Sequence, residues 1–579
     1  MLPYTMAFFT GRNAAGAWNV AMVLSGQVAH QRLTRRLAAI ARWALALVFV
    51  LVALTTIVTA LMTLPAVLID QVSQIVDLDE LAWGRAGAIA LGLLLLLVAR
   101  ALARGKRQAW LLSLAMLAIS LVGAMVEHAH IRSLILILAA LTALLALGPA
   151  FTRRSDRVSS MRGYVALALG GWLTWTHAFL YHALKVGHLT IQLSPWAILV
   201  PLRLLTYALL AVGLWQLLRP VLQERADARG EHERAAEVVR RHGLLSTAYF
   251  ALGEDKHYVW SDSGQTLLPY RVVGGVALAL SDPIGPEEEH TRTLAKFIAY
   301  CRRQDWAFGV YQASPTAYRL GRAQGLRGFK IGEDALIDLR NFKMEGKAGA
   351  AVRHSVARAR RGGLTALLFH GQRLPDDILA GMQRVSTIWL RQREINGQFG
   401  FSMGRFPADW SPELLTAVAI DACGSVQAFV TWTPIYAANG WSLDLIRRDT
   451  EAVPGAMELL IAESFAWAQA RGCARMSLGL LPLAGLDAET RALEGASATP
   501  EALIERGASY LHQRGVLLSS YASLRHFKEK FHPDWEARYL LLGEASATPH
   551  VLLALAQVMG GGWRVVAQET WEKLRTGSR

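Results

Sequence analysis

The chain has 579 residues, of which 53% are hydrophobic and 18% charged, whereas soluble domains average about 25% charged. This composition excludes disorder, which requires low hydrophobicity, and argues against a single soluble domain of this length. The 60 Lys and Arg against 45 Asp and Glu give a formal net charge of +15, which by itself suggests a nucleic-acid partner. Three cysteines, Cys301, Cys423 and Cys473, are too few for a disulfide framework and favour a reducing compartment.

Most of the net charge lies before residue 221. That region holds 18 basic and 6 acidic residues, a net +12, which leaves only +3 for the rest of the chain. It also contains six apolar stretches, each near the ~20 residues that a bilayer-spanning helix needs. They are residues 43–64, 86–103, 109–126, 134–151, 164–184 and 196–218.

The loops between these stretches alternate in charge. Basic clusters precede the first stretch and follow the second and the fourth, whereas the loop after the first stretch is acidic. By the positive-inside rule this pattern predicts a polytopic bundle in a bacterial inner membrane with both termini in the cytoplasm. Very apolar core helices of a soluble protein are the alternative, but such helices rarely run this long.

Two features of this region remain open at the level of sequence. Residues 1–42 lack a signal-peptide cleavage pattern and are predicted to form a cytoplasmic or interfacial lead before the transmembrane domain, residues 43–218. Arg203 lies inside the sixth stretch. It is either a functional intramembrane charge or a side chain that reaches the outer headgroups.

The pattern changes after the last apolar stretch. Residues 219–243 form a charged, helix-prone connector. Apolar strand-like runs then alternate with amphipathic helices, which indicates a layered α/β or α+β domain. Two series of comparable order suggest a duplicated unit, with a first unit at 244–342, a second at 364–545 and a C-terminal tail at 546–579.

A basic helix is predicted between the two series, at residues 343–363. Its cations could contact the phosphates of RNA or of lipid, although a charge run is often only a solvated face. The cations are Lys343, Lys347, Arg353, Arg358, Arg360 and Arg361.

Motifs of well-known hydrolases and metalloenzymes are weak or missing. Residues 400–404 match G-x-S-x-G, but the nucleophile elbow needs a strand before the serine and a helix after it. Here Asn396-Gly397 makes a turn upstream, and Pro407 and Pro412 interrupt the downstream segment, so a serine hydrolase is disfavoured. No zinc-ligand spacing and no P-loop occur, and no metal site is predicted.

Two opposite charges stand in the apolar run at 441–448. Asp444 and Arg447 are three residues apart, so on a strand they point to opposite faces unless the strand ends or bulges between them. They form either a structural ion pair or a polar substrate pocket at a strand end. The following Pro454-Gly455-Ala456 opens a helix whose N-terminus could bind an anion.

That strand–turn–helix unit occurs in acetyltransferases of the GNAT superfamily. Their pyrophosphate loop, [QR]-x-x-G-x-[GA], is missing here, because Gly455 has no such run before it. A coenzyme A donor is therefore disfavoured, and no cofactor is expected. Residues 523–539 mix four cations with aromatic side chains, as a site for a phosphate-bearing ligand would, or as a plain surface segment would.

Several of these runs together resemble the bacterial aminoacyl-phosphatidylglycerol synthases, the lysyl- and alanyl-phosphatidylglycerol transferases of multiple-peptide-resistance type. The similarity extends in order over residues 243–543. The runs are IGEDA at 331–335, NFKMEGK at 341–347, DLIR at 444–447, SLG at 477–479 with Pro482-Leu483, and FKEKF at 527–531. The resemblance implies an α+β tandem GNAT-like (acyl-CoA N-acyltransferase-like) cytoplasmic domain behind an N-terminal all-α polytopic membrane bundle.

The resemblance also implies an activity and its partners. The expected enzyme is an aminoacyltransferase that moves a lysyl or alanyl group from aminoacyl-tRNA to the glycerol hydroxyl of phosphatidylglycerol at the lipid bilayer, which lowers the negative charge of the membrane surface. Longer family members carry an additional flippase block of helices, whereas about six spans precede the catalytic half here, so the sequence leaves lipid flipping open. The alternatives are an acyl-CoA-dependent N-acyltransferase, or a flippase or scaffold with an inactive catalytic half.

Site residues are implied by the same resemblance. The D-x-x-R element of the family corresponds to Asp444 and Arg447, and its essential lysine corresponds to Lys528 or Lys530, with Lys528 preferred. Asp444 is expected to hold the α-ammonium of the amino acid or to accept the glycerol proton, while Arg447 and Lys528 neutralise phosphates. Expected substrate-binding residues are Lys530, Arg525, Glu333, Lys347, Arg353 and Arg358.

Overall fold

The computed structural model describes residues 40–58, 61, 78–126, 131–153, 157–185, 195–218, 228–347, 349–392, 400–408, 410–482, 518–544 and 547–559. The chain divides into two compact units. The first is Met1–Val221 with Arg303–Asp305, and the second is Leu222–Arg302 with Trp306–Arg579. Most of the predicted lead at 1–42 and residues 219–227 of the connector lie outside the described residues.

Each of the six apolar stretches contains a helix within the described part of the first unit. The helices are α1 (Ile40–Val58), α2 (Leu78–Ala103), α3 (Arg107–Val126), α4 (Ile131–Ala146), α5 (Arg157–Lys185) and α6 (Pro195–Leu217). Two segments, Ile40–Val58 and Leu199–Leu217, are long and apolar enough to cross a membrane, with mean hydropathies of 2.2 and 1.4. The described helices thus overlap the predicted apolar stretches, because long apolar runs favour helices.

Helices α5 and α6 pack closely along a repeat of seven residues. Gly163 and Gly170 allow the approach, since a Cβ at either would lie 2.8 Å from an atom of α6, the Gly213 carbonyl oxygen and a Leu210 methyl respectively. Seven residues further on, His177 Nε2 accepts a hydrogen bond of 2.6 Å from Arg203 Nε. Arg203 therefore contacts the neighbouring helix, which neither interpretation from sequence had specified.

The second unit is built on a mixed sheet of eleven strands among the described residues, ordered β1-β2-β3-β4-β11-β5-β10-β9-β8-β7-β6. This confirms the predicted α+β class. The strands are β1 (His257–Trp260), β2 (Leu267–Val273), β3 (Val276–Leu280), β4 (Ala307–Ala313), β5 (Arg327–Asp338), β6 (Thr365–Phe369), β7 (Leu415–Ile420), β8 (Val426–Ile435), β9 (Gly440–Arg448), β10 (Arg475–Pro482) and β11 (Asp534–Leu542).

The two predicted series have the same strand pattern. In each, antiparallel strands lead to a strand that pairs in parallel with the next, β3 with β4 and β9 with β10. The last strands are exchanged: β11 pairs with β4 and β5, and β5 pairs with β10. The exchange joins both series into one sheet, because β11 of the second predicted unit pairs with strands of the first, and β5 of the first pairs with strands of the second.

Helices cover both faces of this sheet. They are α7 (Ala228–His242), α8 (Glu287–Gln304), α9 (Pro315–Ala323), α10 (Ala350–Arg361), α11 (Asp376–Gln392), α12 (Ala456–Ala470), α13 (Leu518–Glu529) and α14 (Thr548–Val558). Along β7 to β9, alternate side chains go to two cores. One core includes α10 and α12, and the other includes α11.

The sequence prediction of a C-terminal tail at 546–579 is wrong for residues 548–558. These form α14, whose Val551, Ala554 and Val558 are buried in a core with strands β3 and β11. The apolar run 551–555 was too short to be recognised as a core helix without its partners. Residues 560–579 lie outside the described residues.

Candidate active site at a strand opening

Strands β9 and β10 begin as parallel neighbours and then separate. They pair only at three positions, the last being Ser477 with Ser442. Beyond Ser477 the register of β10 on β5 shifts, and Gly479, at a φ of +79°, lies in the resulting bulge. Meanwhile β9 continues beside β8 as far as Arg448. An opening in the sheet therefore begins just past Ser442 and Ser477.

A bulge in β9 brings Asp444 and Arg447 to one face of the sheet. The register on β8 runs from Leu443 opposite Trp432 to Ile446 opposite Val430, so Asp444 and Leu445 together oppose Thr431. An extra residue of this kind reverses the alternation of side chains beyond it. The bulge thus resolves the spacing that the sequence left open, and both charges lie on the side of β9 that α11 covers.

Donors from two other segments hold the Asp444 carboxylate. The main-chain N–H of Gly404 donates to Oδ1 at 2.8 Å, and Thr431 Oγ1 donates to Oδ2 at 3.3 Å. Asp444 lines a small, mainly apolar pocket together with Gly404, Arg405, Phe406, Trp410, Leu414, Thr431 and Leu445. A fixed carboxylate in an apolar wall is suited to bind an ammonium group or to accept a proton.

Arg447 is buried, and its guanidinium stacks on an aromatic ring of α11. Its Cζ lies 3.6 Å from the centroid of Trp389. Stacking of this kind is preferred by a planar guanidinium and leaves its N–H donors directed outward at the edge, where they can still form hydrogen bonds. A permanent positive charge is thereby fixed on the same face as Asp444.

Lys528 projects from α13 to the bulge of β10. Its Nζ donates to the carbonyl oxygens of Gly479 at 2.7 Å and Leu480 at 3.1 Å. Burial lowers the pKa of Lys528 to about 8, against the attraction of the Asp334 carboxylate. A buried lysine with a pKa in this range changes its charge close to physiological pH.

Sequence reasoning missed Asp334, which lies on β5 beside the bulge. Its carboxylate is buried and accepts hydrogen bonds from Ser477 Oγ at 2.6 Å, Ser246 Oγ at 2.6 Å and Arg538 Nη2 at 3.0 Å. Burial opposes its ionisation, but the Arg538 charge and the two serine hydroxyls outweigh that cost and hold its pKa below the usual value.

The sequence had pointed to the preceding residue instead. Glu333 forms an ion pair with Lys330 at 2.8 Å on the same strand. Adjacent residues of a strand point to opposite faces, so only one of two consecutive acids can reach the bulge. No signal in the sequence distinguishes the two acids, because the cation that binds Asp334, Arg538, lies 204 residues further along the chain.

The other predicted substrate-binding residues are in ion pairs or are exposed. Lys530 pairs with Glu458 at 2.8 Å, and Arg525 pairs with Glu529 at 2.8 Å. Lys347 and Arg358 are exposed, as is Arg353, which donates to the Met344 carbonyl. The structure thus places Asp444 and Arg447 on the α11 side of β9 and Lys528 at the bulge of β10, on the two strands that separate, and leaves the basic cluster on α10 as a distinct surface.

Two alternative motifs differ from their expected geometry. Ser402 lies in a segment of turns, and the described residues between it and β7 contain no helix, unlike a nucleophile elbow. The turn before α12 packs directly on α10, since a Cβ at Gly455 would lie 2.2 Å from the Ser355 carbonyl oxygen. Neither arrangement favours a serine nucleophile or a pyrophosphate loop.

A family model supports the resemblance seen in the sequence. The model of the C-terminal region of phosphatidylglycerol lysyltransferase matches residues 236–542. The lysylphosphatidylglycerol biosynthesis bifunctional protein LysX of Mycobacterium avium is 31% identical over 332 residues, which cover 57% of this chain and 27% of that protein. LysX of Mycobacterium tuberculosis is 30% identical over 365 residues, 62% of this chain and 30% of that protein. The chain thus spans less than a third of these relatives.

Two solved structures are similar to part of the chain. L-PGS from Bacillus licheniformis is 26% identical with a TM-score of 0.49, and covers 58% of this chain and 99% of that one. The C-terminal DUF2156 domain of a lysylphosphatidylglycerol synthetase from Agrobacterium fabrum is 29% identical with a TM-score of 0.49, at 57% and 98% coverage.

Proposed function

We propose, since this chain belongs to the phosphatidylglycerol lysyltransferase C-terminal family over residues 236–542, that it is an aminoacyltransferase which transfers the aminoacyl group of aminoacyl-tRNA to phosphatidylglycerol. The observation that carries the proposal is the β9 bulge, which puts Asp444 and Arg447 on one face beside the opening where Lys528 binds the β10 carbonyls. A carboxylate and two cations within one site match a cationic amino group and two phosphate-bearing substrates.

The reaction needs no covalent enzyme intermediate, because aminoacyl-tRNA is already an activated ester. A glycerol hydroxyl of the lipid attacks the ester carbonyl, a new ester bond forms, and the bond to the tRNA ribose breaks. The glycerol proton passes to the ribose oxygen that leaves. The enzyme must orient both substrates and stabilise the tetrahedral oxyanion.

Roles for the three residues can be assigned from their surroundings. Asp444, held by Gly404 and Thr431, binds the α-ammonium of the amino acid or accepts the glycerol proton. Arg447, flat on Trp389, provides a fixed charge for a phosphate or the oxyanion. Lys528 provides a second one, and we propose that it, rather than Lys530, is the essential lysine, because Lys530 is paired with Glu458.

A membrane location fits the surface of the first unit. Large apolar side chains on α5 are exposed, including Trp172, Trp175 and Phe179, and an exposed apolar surface of this kind needs lipid or protein to cover it. We propose that the six helices form a polytopic bundle in the inner membrane, with the second unit, a tandem GNAT-like pair, in the cytoplasm, as the alternating loop charges predict.

The proposed tRNA surface is the basic face of α10. Arg353, Arg358 and Arg361 are exposed along it, and the helix contains no acidic residue. Arg360 is partly neutralised by Glu463 at 2.5 Å. A cationic helix face of this length binds the phosphates of a nucleic acid irrespective of sequence.

The test is transfer into vesicles by the full-length enzyme. Purified protein in phosphatidylglycerol vesicles receives tRNA charged with radiolabelled lysine or alanine, and label is measured in the organic phase. We expect aminoacyl lipid with one of the two tRNAs, sensitivity to RNase, indifference to coenzyme A, and loss of activity in Asp444→Ala. Wild-type activity of Asp444→Ala would refute the site, and inhibition by coenzyme A would favour an N-acyltransferase.

A further inference from the structure

The two strand series meet at a buried ion pair. Strands β5 and β11 are antiparallel neighbours at the centre of the sheet, with Asp334 opposite Glu536. Arg538, on β11, donates to Asp334 at 3.0 Å and also to Glu536. Asp334 and Arg538 are almost fully shielded from solvent, with side chains 1% and 2% exposed. A charge this deep remains ionised only if its partners are held in place.

A continuous line of hydrogen bonds connects this pair to Lys528. Ser477 Oγ donates to Asp334 Oδ1 at 2.6 Å, and the same oxygen accepts from the main-chain N–H of Gly479 at 2.9 Å. The carbonyl oxygen of Gly479 then accepts from Lys528 Nζ at 2.7 Å. Asp334 therefore fixes the rotamer of Ser477, Ser477 fixes the bulge, and the bulge holds the ammonium group.

Asp334 acts on Lys528 through its negative charge as well as through this line of hydrogen bonds. Burial drives the pKa of Lys528 down, and the attraction to Asp334 is what opposes that drop. The polarity of the line is consistent only with an ionised Asp334, since its two oxygens accept from both serines and from Arg538. Removing this negative charge would leave Lys528 buried beside the main-chain carbonyls alone.

We propose that Asp334 is a positioning residue of the transferase site, which fixes the β10 bulge through Ser477 and keeps Lys528 charged and in place at the strand opening. The catalytic part of this role rests on the proposed function. The effect of Asp334 on the bulge and on Lys528 does not depend on that function. It links the first strand series, through β5 and Ser246, to chemistry performed by the second. It also assigns Asp334 a task that the D-x-x-R element and its lysine do not include.

The test measures the protonation of Lys528 without relying on catalysis. Full-length protein and Asp334→Asn are treated briefly with acetic anhydride between pH 6 and 10, and acetylation of Lys528 and Lys530 is quantified by mass spectrometry after cleavage at Glu529. The midpoint of Lys528 is the pH at which its rate of acetylation is half of the maximum. We expect this midpoint to fall by about one pH unit or more in Asp334→Asn, the usual effect of losing one close opposite charge. The extent of Lys530 acetylation in the same sample serves as an internal reference for the amount of active reagent.

Asp338→Asn is the matched control, because Asp338 lies on the same strand but binds Arg340 and Asn341 near the surface. It should leave the Lys528 midpoint unchanged. If Asp334→Asn does not fold, Ser477→Ala keeps the ion pair and removes the link to Gly479, and Lys528 should then be acetylated faster at pH 7 than in the wild type.

An unchanged midpoint in folded Asp334→Asn, or an unchanged acetylation rate in Ser477→Ala, overturns the proposal. The transfer assay then separates the two hypotheses. A shifted Lys528 midpoint in a protein whose wild type transfers no aminoacyl group would refute the proposed function and leave the positioning role intact. With an active wild type, the alkaline limb of the transfer rate should move to lower pH in Asp334→Asn.

Discussion

The main-chain amide of Gly404 donates a 2.8 Å hydrogen bond to Oδ1 of Asp444, and any side chain at position 404 would press on that carboxylate. A Cβ at Gly404 would lie 2.5 Å from Oδ2 of the same carboxylate. The contact joins the segment before β7 to the bulge of β9. The orientation of the acidic group therefore depends on a residue with no reactive side chain.

Gly404→Ala should accordingly impair transfer without altering any charged group. The methyl group forces Asp444 from its position, and displacement of about 1 Å in a catalytic group typically costs about a hundredfold in rate. The measurement is kcat for aminoacyl transfer into vesicles. Gly400→Ala is the matched control, since a Cβ there meets only the Val558 carbonyl oxygen at 3.7 Å, and equal activity of the two variants would contradict the steric argument.

Trp389 should matter to activity through Arg447 alone. The guanidinium lies 3.6 Å above the Trp389 ring, and a shielded cation–π contact contributes about 1–2 kcal/mol. Trp389→Leu, Arg447→Lys and the double variant form a cycle measured by kcat/KM. We expect a coupling energy of about 1 kcal/mol or more, with Trp389→Phe intermediate. Additive losses would mean that the ring does not orient the guanidinium.

The buried charge of Lys528 should lower the free energy of unfolding at neutral pH. Its pKa of about 8 in the folded protein, against 10.5 ordinarily, corresponds to a penalty of about 3 kcal/mol for keeping it charged. Lys528→Met removes that penalty but leaves the Gly479 and Leu480 carbonyls without their donor, which offsets about 2 kcal/mol. We expect a variant that is inactive yet about 1 kcal/mol more stable at pH 7.

The sign of the pH dependence is set by the lowered pKa. Below pH 8 both folded and unfolded chains carry the proton, so the full penalty is present. Between pH 8 and 10.5 the folded chain releases the proton while the unfolded chain keeps it. The free energy of unfolding of the wild type therefore rises with pH relative to that of Lys528→Met. Thermal unfolding of both proteins measures the gap, and a gap independent of pH would contradict the assignment. Lys530→Met breaks a partly exposed ion pair with Glu458. Its free energy of unfolding should fall by at most about 1 kcal/mol.

The sequence predicted those parts of the molecule that depend on local pattern. Long apolar runs fixed the six helices of the first unit, and the alternation of strands with helices fixed the α+β class of the second. The exchange of β5 and β11 was out of reach, because each strand pairs with residues more than a hundred positions away. The β9 bulge could not be predicted for a different reason, since it depends on the exact register of β9 against Thr431 of the neighbouring strand.

In the candidate site, too, local sequence patterns predicted some residues, and tertiary packing decided the others. Asp444 and Arg447 were found because their spacing is a motif. Lys528 and Lys530 could not be separated firmly, since two positions on a helix are roughly 200° apart and only packing decides which face is buried. Glu333 was chosen over Asp334 because the sequence does not reveal which face of β5 meets the bulge. Register and helix rotation, both tertiary properties, account for these misses.

Charge reversal on α10 should weaken tRNA binding without affecting the chemistry. Arg353, Arg358 and Arg361 are exposed on a helix with no acidic residue, so their replacement by Glu should leave the fold intact. We expect the KM for aminoacyl-tRNA to rise at least tenfold while kcat at saturation is retained. The dependence of KM on salt should also flatten by about one logarithmic unit per lost phosphate contact.

Arg319→Glu controls for net charge, because Arg319 is an exposed cation on α9 of the first series. One such change alters the total charge by as much as a single reversal on α10, so Arg353→Glu and Arg319→Glu can be compared directly. If the α10 surface binds tRNA, only Arg353→Glu should raise KM. Equal effects of both variants would contradict the proposal, because a surface that contacts the phosphates loses more affinity from a charge reversed within it than from one reversed elsewhere.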